Sequence, residues 1–299
     1  MQEPPMQKEA VAIDGSRLAE SVKAAVREEI HALGKSPSLA VILVGSNPAS
    51  KVYVERKEVA CGEVGIISQE YRLEESVPEE ALLSLIRELN ENRGINGILV
   101  QLPLPQHINE GRVIAAIHPK KDVDGLHPAN MGKLLRGEEG MLPCTPKGII
   151  RMLESTGVAL AGKRAVVVGR SSIVGKPAAL LLLRKDMAVT LCHSKMQSLG
   201  RITGEADVLV VAVGKPMLIT AEMVKEGAVV IDVGVNRTED RTRKSGYRIC
   251  GDVDFDRVKY RAAYLSPVPG GVGPMTVAML MENVLSAYKD QNGIRDENG

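Results

Sequence analysis

Aromatic residues are scarce in this chain of 299 residues. They make up 2% of the sequence, with six tyrosines, one phenylalanine and no tryptophan. Because sequence-tolerant binding of single-stranded nucleic acid depends on stacking bases on aromatic rings, such a platform is hard to build here. Charge of one sign is also lacking, since 38 lysines and arginines face 37 acidic residues, so no net field attracts nucleic acid or a membrane surface. Both absences favour small molecules or copies of the same chain as partners.

The sequence also has few cysteines and no long apolar run. Its four cysteines lack the paired spacing of a zinc site and the density of a secreted disulfide scaffold: Cys61, Cys144, Cys192 and Cys250. We interpret them as free thiols in a reducing compartment, and we expect no metal site. No apolar run reaches membrane-spanning length, and residues 1–12 have the pattern of neither a signal peptide nor a transit peptide. The predicted location is the cytoplasm.

Short runs rich in valine and isoleucine alternate with amphipathic stretches along nearly the whole chain. This alternation is typical of parallel sheets covered by helices, so the predicted fold class is α/β, and 299 residues suggest two domains. The predicted strands span residues 39–44, 97–101, 164–168, 188–192, 207–213 and 228–233. The last four, with helices between them, form a doubly wound nucleotide-binding pattern.

Four helices are predicted from their start signals. Asn47 or Ser46 caps a helix over residues 49–64, with Pro48 in its first turn. Ser76 and Glu79 form a capping box for residues 79–90. Thr145 begins a helix that runs to about residue 155, and the last helix covers residues 274–289.

A glycine turn joins a predicted strand to a helix at residues 167–177 (VVGRSSIVGKP). The N–H groups and the helix dipole at such a turn suit a pyrophosphate. The spacing departs from the usual dinucleotide fingerprint, because no glycine lies between Gly169 and Gly175. The turn by itself is therefore compatible with a nucleotide site or with a simple tight turn.

The end of the next strand favours NADP over NAD. An NAD site commonly has an acidic residue about 20 positions after the glycine turn, whereas this strand ends in His193, Ser194 and Lys195. Arg170 and Ser194 can together hold a 2′-phosphate through a charged contact and a hydroxyl. The alternative is a solvated basic surface.

Tyr53 and Lys57 lie four residues apart on a predicted helix, so their side chains share one face. An aromatic plane beside an amine suits a ring-bearing substrate. The alternative is a lysine that extends along an ordinary amphipathic helix beside a half-buried tyrosine.

Other polar residues follow the first-half strands. Gln101 lies at the carboxyl end of a predicted buried strand, where open parallel sheets bind ligands. Asp122 and Asp124 share a turn without the oxygen-rich spacing of a calcium loop; we interpret Asp122 as structural and Asp124 as available for substrate N–H groups. The Pro/Gly-rich segment 266–276 is either a linker or a ligand-binding loop.

Together these segments resemble the bifunctional methylenetetrahydrofolate dehydrogenase and methenyltetrahydrofolate cyclohydrolase family. The matching stretches follow the family order along almost the entire chain: PASKVYVERK (48–57), GILVQLPLPQHIN (97–109), KDVDGLHPANMG (121–132), PCTPKG (143–148), VVVGRSSIVGKP (166–177), VIDVGVN (230–236), GDVDF (251–255) and PVPGGVGPMT (267–276). The set is far more specific than any single glycine motif. Met196 departs from the family, because many relatives have a small hydroxyl residue there.

The resemblance implies a role for each matching residue. Lys57 would be the central catalytic residue, positioned by Gln101, with Tyr53 along the folate and Asp124 on its pterin. The implied substrate contacts are Tyr53, Val100, Gln101, Leu102, Asp124, Pro269, Gly270, Gly271, Val272 and Gly273, the last five lining the cleft for folate and cofactor. The implied NADP contacts are Gly169, Arg170, Ser171, Ser194 and Val235.

The resemblance further implies a folate-binding catalytic domain (residues 1–148), a Rossmann-like NADP domain (149–273) and a C-terminal helix (274–299) that packs back on the first. It implies a homodimer that serves tetrahydrofolate interconversion and, through it, purine and amino-acid biosynthesis. Without a GxxxxGK[ST] phosphate loop, we expect no formyltetrahydrofolate synthetase activity. Two alternatives stay open at this point: an NADP-dependent dehydrogenase of another small substrate, and a folate- or nucleotide-binding protein without turnover.

Overall fold

The structure is a computed structural model that describes residues 9–240, 242 and 246–294. The chain forms two compact units. One, which we call the six-stranded unit, contains the described residues up to Leu18 together with Thr145–Thr276. The other, the three-stranded unit, contains Ala19–Cys144 and the described residues from Val277 onward.

The described residues contain eleven strands and ten α-helices. The strands are β1 (Val11–Ala12), β2 (Ser38–Val44), β3 (Ile67–Leu73), β4 (Gly97–Val100), β5 (Arg164–Val168), β6 (Ala188–Cys192), β7 (Val208–Val211), β8 (Val229–Asp232), β9 (Asn236–Glu239), β10 (Tyr247–Cys250) and β11 (Tyr264–Leu265). The helices are α1 (Gly15–Leu33), α2 (Pro48–Val64), α3 (Glu79–Glu91), α4 (Glu110–Ala116), α5 (Pro128–Arg136), α6 (Cys144–Glu154), α7 (Gly175–Leu183), α8 (Leu199–Thr203), α9 (Phe255–Val258) and α10 (Val272–Gln291), with a short 3₁₀ helix at Ala221–Met223. In these ranges, no helix combines the length and the apolar character needed to cross a membrane.

The three-stranded unit is built on a parallel sheet in the order β3-β2-β4. Every residue of the central strand β2 is buried, which explains its unbroken apolar sequence SLAVILV. Helix α3 contributes Leu82, Ile86 and Leu89 to the apolar cluster that also contains alternate residues of β2. This packing fixes the carboxyl ends of β2 and β4, where the candidate catalytic residues lie.

The six-stranded unit has an all-parallel sheet in the order β1-β11-β8-β7-β5-β6. The chain leaves β5 through α7 to β6 on one side and then returns to β7 on the other side. The direction of the strand order therefore reverses between β5 and β7, and open α/β sheets bind ligands beyond the carboxyl ends of the strands at such a reversal. The predicted two-domain α/β fold class is confirmed.

Residues 9–18 lie in the six-stranded unit, apart from the rest of the predicted first domain. The sequence places residues 1–148 in a single folate-binding domain, but β1 pairs with β11 of the six-stranded sheet. The N–H of Val11 donates to the carbonyl of Ala263 at 2.9 Å, and that of Ile13 donates to Leu265 at 3.0 Å. Two residues of strand are too short to give a sequence signal, so the pairing was not predictable.

The helix starts are partly as predicted. The side chain of Asn47 accepts a hydrogen bond from the N–H of Ser50 at 3.3 Å, which confirms the cap of α2. The capping box at Ser76 and Glu79 is wrong, because Pro78 is the N-cap residue of α3 and makes no side-chain cap bond. Helix α6 begins one residue before Thr145, and α10 begins two residues earlier than predicted.

Candidate active site

Lys57 and Tyr53 lie one turn apart on α2. A short connection joins this helix to the end of β2. The side chains differ in exposure: Lys57 is 8% exposed, whereas Tyr53 is 39% exposed. A buried lysine is uncommon because an ammonium group loses its hydration, so it needs polar partners. The interpretation of Lys57 as an ordinary surface lysine is therefore disfavoured.

Gln101 provides that partner. It follows β4, and its N–H donates to the carbonyl of Ile42 at 2.9 Å, which extends the pairing of β4 with β2 by one residue. Its side-chain Oε1 accepts a hydrogen bond from Lys57 Nζ at 3.1 Å. Its Nε2 donates to the carbonyl of Leu102 at 2.6 Å, and the next peptide bond, to Pro103, is cis. The amide is thus held with its oxygen toward the lysine.

Asp122 has a structural role, as the sequence suggested. It is buried and accepts hydrogen bonds from the N–H groups of Leu126 (3.1 Å) and His127 (2.8 Å) and from Asn130 Nδ2 (2.8 Å). Burial raises the pKa of this carboxyl, while the three hydrogen bonds act in the opposite direction. All of its bonds serve to hold the turn and the start of α5.

Asp124 is half-buried in the same turn. Asp122 forms an isolated parallel bridge with Ile98 of β4, three residues before Gln101. The turn is also fastened by Asn283 of α10, whose Nδ2 donates to the carbonyl of Val123 at 2.8 Å. The turn that carries Asp124 therefore lies beside β4, the strand that leads into Gln101.

A thiol one turn beyond Lys57 is excluded as a nucleophile. Cys61 is completely buried, and burial raises its pKa to about 12, although the charge of Lys57 acts in the opposite direction. Reactive cysteines are thiolates at neutral pH and partly exposed. Lys57 and Gln101 therefore remain the candidate catalytic groups here.

Gly169 directly follows β5 in the six-stranded unit and cannot be replaced by a larger residue without rearrangement. Its φ is +124°, and a Cβ there would lie 2.1 Å from the carbonyl oxygen of Ala212, which follows β7. A Cβ on Gly175, the first residue of α7, would lie 2.0 Å from the carbonyl oxygen of Gly169. The glycines thus allow the turn to pack tightly between the ends of β5 and β7.

Ser171 shapes the turn. Its Oγ accepts hydrogen bonds from the N–H groups of Val174 and Gly175 at 3.1 and 3.3 Å. No described residue accepts a hydrogen bond from the N–H groups of residues 170–173. These donors at the start of a nine-residue helix fit the pyrophosphate of a dinucleotide. The side chain of Ser171 is already engaged within the turn.

Arg170 and Ser194 come to the same edge of the six-stranded sheet. Val168 and Cys192 are register partners in β5 and β6, and each candidate lies two residues beyond its partner. Both side chains are exposed. Met196, which departs from the family pattern, packs against the apolar cluster of this unit, so its thioether has a core role.

Val235 lies after β8 with its side chain 54% exposed. The backbone around it is held by Asp232, whose Oδ1 accepts from the N–H groups of Gly234 (3.0 Å) and Asp252 (2.9 Å) and whose Oδ2 accepts from Val253 (2.9 Å). Burial raises the pKa of Asp232 to about 6 despite these bonds. Asp232 belongs to the motif VIDVGVN and Asp252 to the motif GDVDF, but the sequence alone assigns no role to either acid.

The segment Pro269 to Gly273 is an ordered part of the six-stranded unit. The peptide bond before Pro269 is cis, and the carbonyl of Gly270 accepts a hydrogen bond from the N–H of Ser16 at 3.0 Å. Gly271 and Val272 are buried, and α10 begins at Val272. This segment is therefore a packed turn and helix start rather than a loose linker.

Comparison with known proteins identifies the family. The model of the tetrahydrofolate dehydrogenase/cyclohydrolase catalytic domain matches residues 13–124, and that of the family's NAD(P)-binding domain matches residues 143–292. The bifunctional protein FolD of Geobacillus thermodenitrificans is 54% identical over 280 residues, which cover 93% of this chain and 96% of that protein. That of Lachnoclostridium phytofermentans is 52% identical over 283 residues, covering 94% and 98%.

Solved structures give the same result. The bifunctional FolD enzyme of Campylobacter jejuni has a TM-score of 0.90 and 46% identity, covering 94% of this chain and 99% of that one. The Trypanosoma brucei enzyme, complexed with NADP cofactor and inhibitor, has a TM-score of 0.91 and 40% identity, covering 96% and 99%. The predicted family, enzyme class and NADP cofactor are confirmed. This chain belongs to the tetrahydrofolate dehydrogenase/cyclohydrolase family.

Proposed function

We propose that this chain oxidises 5,10-methylenetetrahydrofolate with NADP to 5,10-methenyltetrahydrofolate and then hydrolyses that product to 10-formyltetrahydrofolate. The observation that carries the proposal is the buried Lys57, hydrogen-bonded to Gln101 at 3.1 Å, with the half-exposed Tyr53 one turn away on the same helix. An aromatic surface suits the planar folate in both reactions, and the hydrolysis also needs a group that can move protons.

The oxidation requires chiefly orientation from the protein. NADP, when bound, supplies the acceptor for the hydride that leaves the methylene carbon. Tyr53 offers its ring to the face of the folate, and Asp124 accepts hydrogen bonds from N–H groups of the pterin. Fixing the substrate in this way raises the effective concentration of the reacting groups without a strong base.

The hydrolysis requires proton movement, and we assign this to Lys57. A water oxygen forms a bond to the methenyl carbon and loses both of its protons as the formyl C=O forms. The bond from that carbon to N5 breaks, N5 takes up one proton, and the other proton is released. The ammonium of Lys57 has three N–H donors, one of which is occupied by Gln101. The amide of Gln101, itself tied to the carbonyl of Leu102, holds the lysine in one orientation.

The NADP contacts are proposed on the six-stranded unit. The N–H groups after Gly169 receive the pyrophosphate, and Arg170 with Ser194 binds the 2′-phosphate, because both side chains are exposed beyond register-paired strand ends. Val235 presents an exposed apolar side chain to the cofactor. Val100, Leu102 and residues 269–273 are proposed folate contacts, on the basis of the resemblance.

We also propose that the chain acts as a homodimer in the cytoplasm, where it serves tetrahydrofolate interconversion and the purine and amino-acid synthesis that depends on it. Family resemblance supports the dimer. So does β3, an edge strand of the three-stranded sheet whose outer backbone groups have no strand partner among the described residues. Light scattering on the purified protein tests this, and a monomer at micromolar concentration would contradict it.

One assay tests the proposed function. Purified protein is given methylenetetrahydrofolate and NADP while the absorbances of NADPH and of the methenyl product are followed together. We expect NADPH to accumulate and the methenyl signal to decay to formyl product. NADPH formation without methenyl hydrolysis would indicate a simple dehydrogenase, and binding without turnover would indicate a binding protein.

A further inference from the structure

Asp252 is a completely buried acid that joins two separate loops of the six-stranded unit. Its Oδ2 accepts hydrogen bonds from the N–H groups of Val213 (2.7 Å) and Gly214 (2.9 Å), directly after β7. Its Oδ1 accepts from the side-chain Nδ2 of Asn236 at 2.9 Å, directly after the loop that follows β8. One carboxylate therefore sets the distance between the ends of two neighbouring strands.

Asp252 is itself held in place by Asp232. The N–H groups of Asp252 and Val253 donate to the two oxygens of Asp232, at 2.9 Å each. The N–H of Asp232 donates in turn to Ser266 Oγ at 2.7 Å. Both acids are almost inaccessible, with 3% exposure at Asp232 and none at Asp252. The pair thus forms a fixed internal framework rather than a solvated surface.

Two glycines allow this close packing. A Cβ on Gly234 would lie 2.3 Å from Cγ of Asp252, and a Cβ on Gly251 would lie 1.8 Å from Oδ2 of Asp232. Every residue type other than glycine would displace a carboxylate from its N–H donors. Gly234 in VIDVGVN and Gly251 in GDVDF are therefore needed because the two carboxylates leave no space for a Cβ at either position.

The two loops joined by Asp252 both lead to the proposed cofactor contacts. Val213 follows Ala212, whose carbonyl oxygen packs against Gly169 at the start of the pyrophosphate turn. Asn236 follows Val235, the proposed apolar contact. A displacement of Asp252 would move both regions, while the bonds that hold Lys57 and Gln101 lie in the other unit and would be unaffected.

We propose that Asp252, fixed by Asp232, is the positioning residue of the NADP site. It does not touch the cofactor; it holds the loops after β7 and β8 at the spacing that the cofactor needs. The inference rests on the proposed NADP-dependent function. A carboxylate suits this task because its two oxygens accept three hydrogen bonds, whereas an asparagine would direct an N–H₂ group at one set of donors.

The test is Asp252→Asn in the full-length protein, with the Kd for NADP measured by calorimetry and both activities assayed. Loss of a charge-assisted acceptor in a buried site leads us to expect a Kd and a KM for NADP about ten- to a hundredfold higher. Methenyl-folate hydrolysis, which uses no NADP, should stay within about twofold of wild type. General unfolding would lower both activities together, so the split between them identifies positioning.

Asp207→Asn is the matched control. Asp207 lies at the opposite end of β7, where it accepts hydrogen bonds from the N–H of Arg164 at 2.9 Å and from Lys225 Nζ at 2.5 Å. This variant removes an acid from the same unit, at the residue before β7, without touching either loop. Its Kd for NADP should equal that of wild type, and a rise equal to that of Asp252→Asn would overturn the proposal.

If Asp252→Asn does not fold, Asn236→Ala provides the test, because it removes only the bond to Oδ1 and leaves the backbone donors in place. We expect a Kd for NADP several times higher, with hydrolysis unchanged. A folded variant of either kind with wild-type NADP affinity overturns the inference. Failure of the wild-type protein to bind NADP would instead contradict the proposed function.

Discussion

The two units build their sites in different ways. In the three-stranded unit, side chains from a helix and a strand end meet, as in the hydrogen bond between Lys57 and Gln101. In the six-stranded unit, the turn offers backbone N–H groups, and Gly169 lies so close to the carbonyl of Ala212 that no Cβ fits at this position. The first kind of site is damaged when a functional group is removed, and the second when atoms are added. This difference makes the two activities separable by mutation.

The largest separation is expected from Lys57→Met, which keeps the length of the side chain but removes its protons. Methenyl-folate hydrolysis should fall about a thousandfold, because positioned proton transfer typically contributes this much. Some NADP-dependent oxidation should survive, since it depends chiefly on orientation. Lys51→Met, an exposed lysine of the same helix, is the control and should behave as wild type. Near-normal hydrolysis by a folded Lys57→Met variant would move the catalytic role elsewhere.

The buried Asp232 makes the stability of the six-stranded unit depend on pH. The folded-state pKa of Asp232 is raised from its ordinary value near 3.8 to about 6, with burial as the first cause and the charge of Asp252 as a further one. The folded state therefore binds the proton of Asp232 more tightly than the unfolded state does. The resulting stabilisation of the folded state is fully present below about pH 4 and is lost as the pH rises through about 6. The expected loss in the free energy of unfolding is roughly 3 kcal/mol.

Urea unfolding of wild type and Asp232→Asn at several pH values between 4 and 7 measures this contribution. The variant has no titrating group at this position, so its free energy of unfolding should fall less steeply with rising pH. Parallel pH profiles for the two proteins would show that Asp232 is not perturbed.

The opposite kind of damage is expected from Gly169→Ala. The added methyl group meets the carbonyl oxygen of Ala212 at 2.1 Å, so the pyrophosphate turn must shift. An overpacking cost of about 3 kcal/mol, felt locally, corresponds to about a hundredfold higher Kd for NADP. Methenyl-folate hydrolysis should be retained.

Gly157→Ala is the control for Gly169→Ala. Gly157 belongs to the same unit and also has a positive φ, +71°, but a Cβ there meets no atom within 4 Å. This variant carries backbone strain without the clash. Its affinity for NADP should equal that of wild type, and equal losses in both variants would attribute the effect to strain alone.

The sequence predicts best what depends on local pattern. The continuous apolar runs of β2 and β5 identify buried parallel strands, and the spacing of Tyr53 and Lys57 places both on α2. Strand β3 was missed because ISQEYRL lies at a sheet edge, is half exposed and has no apolar run. The capping box failed because Pro78, with its extended backbone, takes the cap position two residues after Ser76.

Contacts between distant segments were the second limit. The bond from Lys57 to Gln101 joins residues 44 apart, and the family resemblance, rather than the residue pattern, suggested it. Asp252 accepts a hydrogen bond from Val213, 39 positions earlier in the chain, and no pattern in GDVDF predicts that bond. A buried acid is visible in a sequence only as an acid between apolar residues, which describes many exposed strand ends equally well.

The smallest expected effect concerns cofactor choice and comes from Arg170→Ala. Arg170 is exposed beyond β5, level with Ser194 beyond β6, and no acidic residue follows either strand there. Losing one charged contact to the 2′-phosphate should raise the KM for NADP about tenfold and leave that for NAD unchanged, because NAD has no 2′-phosphate. Arg164→Ala removes an exposed arginine from the other end of β5, where it pairs with Glu205 at 2.7 Å, and should change neither value. Steady-state titration of both cofactors decides the matter. If wild type uses NAD as efficiently as NADP, or if Arg170→Ala weakens both cofactors equally, the arginine contributes only to the turn, and the cofactor site is then defined by backbone alone.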